Sequence, residues 1–283
     1  MIENETKESN STEKIETSLY SPEDIPSIAS AVAVYINAFS KEPFNEKWHT
    51  ENGNQFNTQD MDQLSDFLKQ VLFNPNELEI NSAGNKQIME FNNMLIETKY
   101  PLSNIINTYA SCLNNKESVL IVRNDNKLYE LSNGERIPEG SENKSDALVR
   151  LINYSPNEKS ISTHILDEVG HYLNEQEKKD LLSSIQNVKT GYFGEIVNLK
   201  DQDSGLGSFI MFSFRKYLSK FKDSLPDQYI YMTKHGTSIE NEKNSSQFMD
   251  KMFSKVFNPE NVRKTKKIYS NNTIIYIYNI QHD

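Results

Sequence analysis

The stretch 191–221, GYFGEIVNLKDQDSGLGSFIMFSFRKYLSKF, constrains this chain more than any other. A β-like apolar run over 192–199 enters a polar turn holding Gln202-x-x-Gly205-x-Gly207. A helical apolar run opens directly behind it. A strand–turn–helix unit of this kind lets a backbone hold a pyrophosphate. Glycines allow the main chain to approach closely, and the free N–H groups at a helix start attract anions. The spacing is not the dinucleotide fingerprint, which needs G-x-G-x-x-G, nor a P-loop, because no Gly-Lys-Ser/Thr follows.

The elements behind the turn are legible in order. Phe209, Ile210, Phe212, Tyr217, Leu218 and Phe221 give a helix over 208–222 its apolar face. Residues 228–232 read as a strand, 245–257 as a helix, and 267–269 with 273–278 as a hairpin around Asn271-Asn272. The order is strand, glycine turn, helix, strand, helix, strand, strand. Its first half is a βαβ unit with an expected right-handed crossover.

Residues 1–18 carry only two isoleucines and one methionine among charged and polar residues. They bury too little surface to offset ordering entropy and read as a tail. Ser21 then suits an N-cap, Pro22 the first helical position, and Glu23 and Asp24 the positive helix end. Ile25, Ile28, Ala29, Val32, Tyr35, Ile36 and Phe39 follow a helical period until Pro43, where Phe44 and Trp48 offer large anchors. Residues 58–73 read as a helix, and 86–113 as two helices separated near Tyr100-Pro101. Residues 117–131 read as a hairpin around Asn124-Asp125-Asn126, 132–148 as a polar loop, and 160–186 as helical with a break near Asn174.

The Gln202-x-x-Gly205-x-Gly207 turn resembles the Gln/Arg-x-x-Gly-x-Gly/Ala loop of the GNAT family of N-acetyltransferases. The segment Asn45-Glu46-Lys47-Trp48 is similar to a Pro-Pro-Trp-Asn-Glu-Lys-Trp segment that covers the substrate in many small bacterial members, with Phe44 in place of the first Trp. The resemblance implies an α/β fold, with a mixed, mostly antiparallel sheet flanked by helices. Residues 19–54 would supply the first helix and the substrate-side segment, with Phe44, Glu46 and Trp48 on the substrate side. Residues 55–186 would be a largely helical insertion or cap with the hairpin at 117–131. Residues 187–283 would be the acetyl-CoA-binding core.

The resemblance further implies direct transfer of an acetyl group from acetyl-CoA to an amine. The cofactor strand and the next strand splay apart in this family, so Ile196, Val197 and Asn198 would lie along the thioester arm. Backbone groups of Gln202, Asp203, Ser204, Gly205, Leu206, Gly207 and Ser208 would hold the pyrophosphate. Glu195 would stand where a water-linked base often lies. The family's acid is a Tyr in a run like Leu-Tyr-x-x-x-Gly-Phe. Here Phe253 takes that place in Met252-Phe253-Ser254-Lys255-Val256-Phe257, so Tyr231 or Ser254 become the candidate donors. The alternative is a catalytically degenerate module of the same fold, used for CoA sensing or protein interaction.

Other features narrow the partners. The formal charge of −10 and the lack of a long Lys/Arg-rich face argue against nucleic acid as a partner. Arg263, Lys264, Lys266 and Lys267 form a small cluster that reads as a solvated loop. Cys112, the single cysteine, lies in an apolar run and reads as a buried thiol. His164 and His171 are seven apart and lack the His-Glu-x-x-His spacing, so no metal site is assigned. No signal-peptide pattern opens the sequence and no apolar run reaches the ~18 residues needed to cross a bilayer, which gives the expectation of a cytoplasmic protein with no membrane partner.

Overall fold

The computed structural model describes residues 20–41, 47–49, 64–69, 99–155, 166, 173–185, 188–200, 205–233, 239–268 and 274–282. Helix α1 (Ile25–Phe39) is followed by the short strands β1 (Lys47–His49) and β2 (Lys99–Pro101), which pair in parallel. Then come α2 (Leu102–Asn114), β3 (Ser118–Asn124), β4 (Lys127–Glu130) and β5 (Ser145–Tyr154). After these run α3 (Glu175–Ile185), β6 (Thr190–Asn198), α4 (Leu206–Lys220), β7 (Gln228–Thr233), α5 (Ile239–Val256), β8 (Val262–Ile268) and β9 (Ile274–Ile280). Strands β3 to β9 form one open seven-stranded sheet in the order β4-β3-β5-β6-β7-β9-β8. Every pairing is antiparallel except β6 with β7, where α4 makes the crossover that parallel strands require.

Two cores lie on the two faces of the sheet. Leu120, Val122, Leu148 and Val197 join the residues of α1 and α2. Val119, Ile121, Ala147, Val149, Leu151 and Phe193 join those of α4 and α5. The alternation along each strand therefore sorts side chains between two buried faces, and β3 and β5 are buried along their whole length. A third cluster packs α3 onto Ile152, Tyr192, Ile230, Ile275 and Ile277.

Several sequence expectations hold. Ser21 opens the first helical turn, its N–H donating to Asp24 Oδ2 at 2.7 Å. No charge interrupts α1, and it is buried on nearly all sides. Its small polar Ser27 is tolerated because the hydroxyl accepts from the Ile137 N–H at 2.9 Å. The β3–β4 hairpin turns at Asp125 and Asn126, both at positive φ (50° and 61°), as a two-residue primed turn demands. The break near Asn174 is a helix cap: Asn174 Oδ1 accepts from the N–H groups of Gln176 and Glu177. The remainder of the expected helices over 58–73, 86–113 and 160–186 falls largely outside the described residues.

Three expectations are corrected. The span 55–186 is not a separate helical cap: its expected hairpin, β3–β4, joins the main sheet, and it also supplies β5, a central strand that was not expected. The loop assigned to 132–148 ends at Lys144, where β5 begins. The basic cluster Arg263, Lys264, Lys266 and Lys267 is not in a loop. It lies on β8, the exposed edge strand, where lysines are a common guard against edge pairing.

Candidate functional site

Strand β6 changes partners halfway along. It pairs with β7 only from Thr190 opposite Gln228 to Phe193 opposite Tyr231. Both strands then continue, β6 to Asn198 and β7 to Thr233, without further pairing to each other. On its other side β6 stays paired with β5 as far as Asn198 opposite Ala147. Strand β7 likewise stays paired with β9 through Thr233 opposite Ile274. The sheet thus opens a wedge between β6 and β7, with Phe193 and Tyr231 at its closed end.

A β-bulge sits at that closed end. Leu151 opposes Phe193 and Arg150 opposes Glu195, so Gly194 has no opposite residue on β5 or on β7. Bulges bend a strand and increase its twist, which accounts for the divergence starting here. The bulge also resets the alternation. Phe193 belongs to the α4/α5 core, whereas Val197 belongs to the α1/α2 core. Glu195 follows the second parity and meets Arg150.

Arg150 and Glu195 form a buried bidentate ion pair. Arg150 Nη2 donates to Glu195 Oε1 at 2.7 Å and Nε donates to Oε2. Their side chains are 3% and 4% exposed. Gly194 is needed beside them: a Cβ there would stand 2.6 Å from Arg150 Nη2 and 2.8 Å from Cζ. On α2, fully buried Tyr109 has its phenol pushed well above the ordinary range, first by burial and then by the Glu195 charge. Tyr109 lies 6.1 Å from the Tyr35 ring, which in turn lies 5.6 Å from Trp48. A line of aromatic rings therefore leads from the Trp48 segment toward Glu195.

Past the wedge the chain re-enters a helix. Gly205 caps α4 in the left-handed region (φ +77°), which favours glycine. The N–H groups of Leu206, Gly207 and Ser208 stand in the first turn, where a helix has no internal acceptors for them. Gly207 serves packing as well, because a Cβ would come within 3.3 Å of Phe248 on α5.

The structure brings Glu195, Ile196, Val197 and Asn198 together along one lip of the wedge, with Tyr231 at its closed end on the other strand. Ile196 is half-buried toward the α4/α5 core and Val197 is buried toward α1 and α2. Asn198 is half-buried, and its amide oxygen accepts from Arg123 Nη2 at 3.0 Å. Tyr231 is half-buried, and its ring lies 6.3 Å from that of Tyr276 in a near-parallel stack. Trp48 is buried in the α1/α2 core rather than standing at the surface. Phe44, Glu46, Gln202, Asp203 and Ser204 lie outside the described residues. Phe253 is buried, stacked on Tyr278 with centroids 4.1 Å apart, and Ser254 is exposed on α5. Neither is on the wedge strands.

Sequence reasoning missed Arg150, Arg123, Asp146 and Tyr109. The available signal was an arginine and an aspartate inside or beside otherwise apolar runs, which burial permits only with partners. Among the described residues, no group of three His, Cys, Asp or Glu side chains is arranged to hold a metal. Among the same described residues, no helix is long and apolar enough to cross a membrane.

The fold and wedge define an α/β protein with an open, mostly antiparallel seven-stranded sheet that divides beside its one parallel pair. No family model matches the chain, and no curated protein or solved structure is significantly similar to it.

Proposed function

We propose that this chain is an acetyl-CoA-dependent N-acetyltransferase of the GNAT type, transferring the acetyl group directly to an amine. The observation that carries the reading is the wedge that opens after Phe193 and Tyr231, followed at once by the Gly205-capped start of α4. An open strand edge offers backbone groups to the amide-rich pantetheine arm, and a helix start offers N–H groups to a pyrophosphate. The residues fit that ligand: Gly205 puts no side chain at the helix start, and Gly207 lets that first turn pack against Phe248 of α5.

In this reading the amine nitrogen attacks the thioester carbonyl carbon, the C–S bond breaks, and the amine's proton leaves through solvent. Glu195 stands at the reacting end on the α1/α2 face, gripped by Arg150, and acts on the amine through water. Tyr231 packs toward the opposite face and, in this reading, returns a proton to the departing thiolate. The aromatic line of Trp48, Tyr35 and Tyr109 backs Glu195 from within the α1/α2 core.

The test is thermal unfolding with and without acetyl-CoA, followed by release of free thiol across a panel of amines. At 100 times its dissociation constant a ligand adds about 2.7 kcal/mol, or roughly 5 to 10 °C for a chain of this size. No shift at millimolar acetyl-CoA would overturn the reading.

A second reading, a CoA-binding module without turnover, is favoured by two specific contacts. Glu195 is committed to Arg150, and Phe253 is committed to an aromatic stack where the family carries its acid. Binding of acetyl-CoA without thiol release from any amine would select this reading.

A further inference from the structure

Arg123, on β3, is two strands away from β6, yet it reaches the last residue of that strand. Arg123, Ala147 and Asn198 stand in one row across β3, β5 and β6. All three side chains face α4, because Ala147 belongs to that core and the guanidinium of Arg123 lies 5.8 Å from the Phe209 ring. Alanine in the middle of the row leaves room for Arg123 to reach over it to Asn198 Oδ1 at 3.0 Å.

A second bulge supplies the counter-charge. Arg123 opposes Ala147 and Asn124 opposes Ser145, so Asp146 is the extra residue and turns toward the arginine. Arg123 Nε donates to Asp146 Oδ1 at 2.5 Å, and the two side chains are 8% and 11% exposed. The carboxylate also pairs with Lys200, and the Asp146 carbonyl accepts from the Leu199 N–H at 2.8 Å. Asn198 then ties the exit of the strand locally, its Nδ2 donating to the Lys200 carbonyl at 2.9 Å.

We infer that Arg123 is a positioning residue for the phosphate end of the proposed acetyl-CoA site, holding the exit of β6 and the first turns of α4 in fixed relation. This rests on the acetyl-CoA reading above. Asn198–Lys200 and Phe209 flank the segment that joins β6 to α4, and Arg123 touches both sides of it. The guanidinium fixes the helix start that would receive the pyrophosphate. It lies away from Phe193 and Tyr231, where the thioester would sit.

The test compares two probes, acetyl-CoA and S-acetylpantetheine, which share the thioester arm, whereas only acetyl-CoA carries the pyrophosphate and its 3′-phosphoadenosine. Both dissociation constants are measured on the full chain, wild type and Arg123→Met. A second variant, Arg123→Met with Asp146→Asn, removes both charges and guards against loss of folding from an unbalanced carboxylate. Acetyl-CoA binding is expected to weaken about tenfold or more in both variants, with S-acetylpantetheine binding kept within about twofold. Equal weakening for both probes marks Arg123 as merely structural and overturns the inference. So does unchanged acetyl-CoA binding. Failure of the wild type to bind acetyl-CoA overturns the underlying reading instead, and the two failures are thereby distinguished.

Discussion

Arg150 and Glu195 face each other directly across β5 and β6, and the guanidinium grips the carboxylate through both Nε and Nη2 in a place almost closed to water. Breaking a buried pair by removing one partner costs about 3–5 kcal/mol, because a bare charge remains in the interior. Arg150→Met is therefore expected to lower the unfolding free energy by about that amount. Arg150→Met with Glu195→Leu should recover most of it, since apolar replacements of similar volume are often neutral. Urea melts of the two variants decide the matter, and equal losses in both would show that the bare charge is not the cause.

Gly194→Ala tests the bulge. The added methyl would stand 2.6 Å from an Arg150 nitrogen that Glu195 already pins, so neither side can yield freely. A loss of about 1–3 kcal/mol is expected, the usual cost of overpacking. In an Arg150→Met background the same substitution should cost much less. A penalty that does not depend on residue 150 would refute the overlap as its origin.

Ser208→Glu separates folding from ligand binding at the start of α4. Ser208 is exposed in the first turn, whereas a Cβ at 207 would stand 3.3 Å from Phe248 and push on α5. A carboxylate near a helix N-terminus stabilises it by about 0.3–1 kcal/mol. The same charge repels a pyrophosphate. The melting temperature without ligand should hold or rise, while the shift given by acetyl-CoA should vanish. A preserved shift would remove the first turn of α4 from the proposed site.

These expectations draw on features that were unevenly legible in the sequence. The strand–turn–helix unit around Gly205, the hairpin turn at Asp125-Asn126 and helix α1 announce themselves through local chemistry: special φ angles, caps and a helical apolar period. Strand β5 does not. It is buried on both faces, so it lacks alternation, and Asp146 and Arg150 break its apolar run. Those two charges are tolerable only because Arg123 and Glu195, 23 and 45 residues away, come to meet them. The basic first part of strand β8, ahead of the 267–269 end that reads as a strand, is hidden for the opposite reason. As an exposed edge it carries almost no apolar signal, and only the register with β9 makes it a strand. The candidate site splits the same way. Glu195 and Asn198 stand out by position on the cofactor-like strand, but their partners are set by sheet order.

Phe253→Tyr asks whether the missing phenol can simply be restored. Phe253 is 1% exposed and packs among Phe193, Phe214, Tyr229, Phe257 and Tyr278. A hydroxyl placed there meets rings, and a buried polar group without a partner costs about 1–3 kcal/mol. The variant should melt lower and gain no thiol-releasing activity. A gain in activity would mean that a phenol at 253 reaches past the Phe193 ring to the departing thiolate.

The tyrosine-rich core makes the fold sensitive to alkali. Burial pushes the phenols of Tyr217 and Tyr229 above their ordinary range, with the neighbouring Asp227 charge adding to the effect on Tyr229. Burial does the same for Tyr278, with Asp250 reinforcing it. In the unfolded chain these groups lose their protons near pH ~10. Above that point the folded state holds more protons than the unfolded state, so stability falls as pH rises. The contribution is fully present below about pH 10 and declines by up to ~1.4 kcal/mol per pH unit for each such tyrosine. Tyr229 isolates one share, because its hydroxyl is buried without a hydrogen-bond partner among the described residues. Tyr229→Phe should be as stable as the wild type or more so near pH ~7, since removing an unsatisfied hydroxyl loses no bond. Between pH ~10 and ~11.5 it should lose stability less steeply, by about one tyrosine's share. Parallel urea-melt series over that range measure both slopes, and identical slopes would show that Tyr229 does not titrate on unfolding as its burial requires.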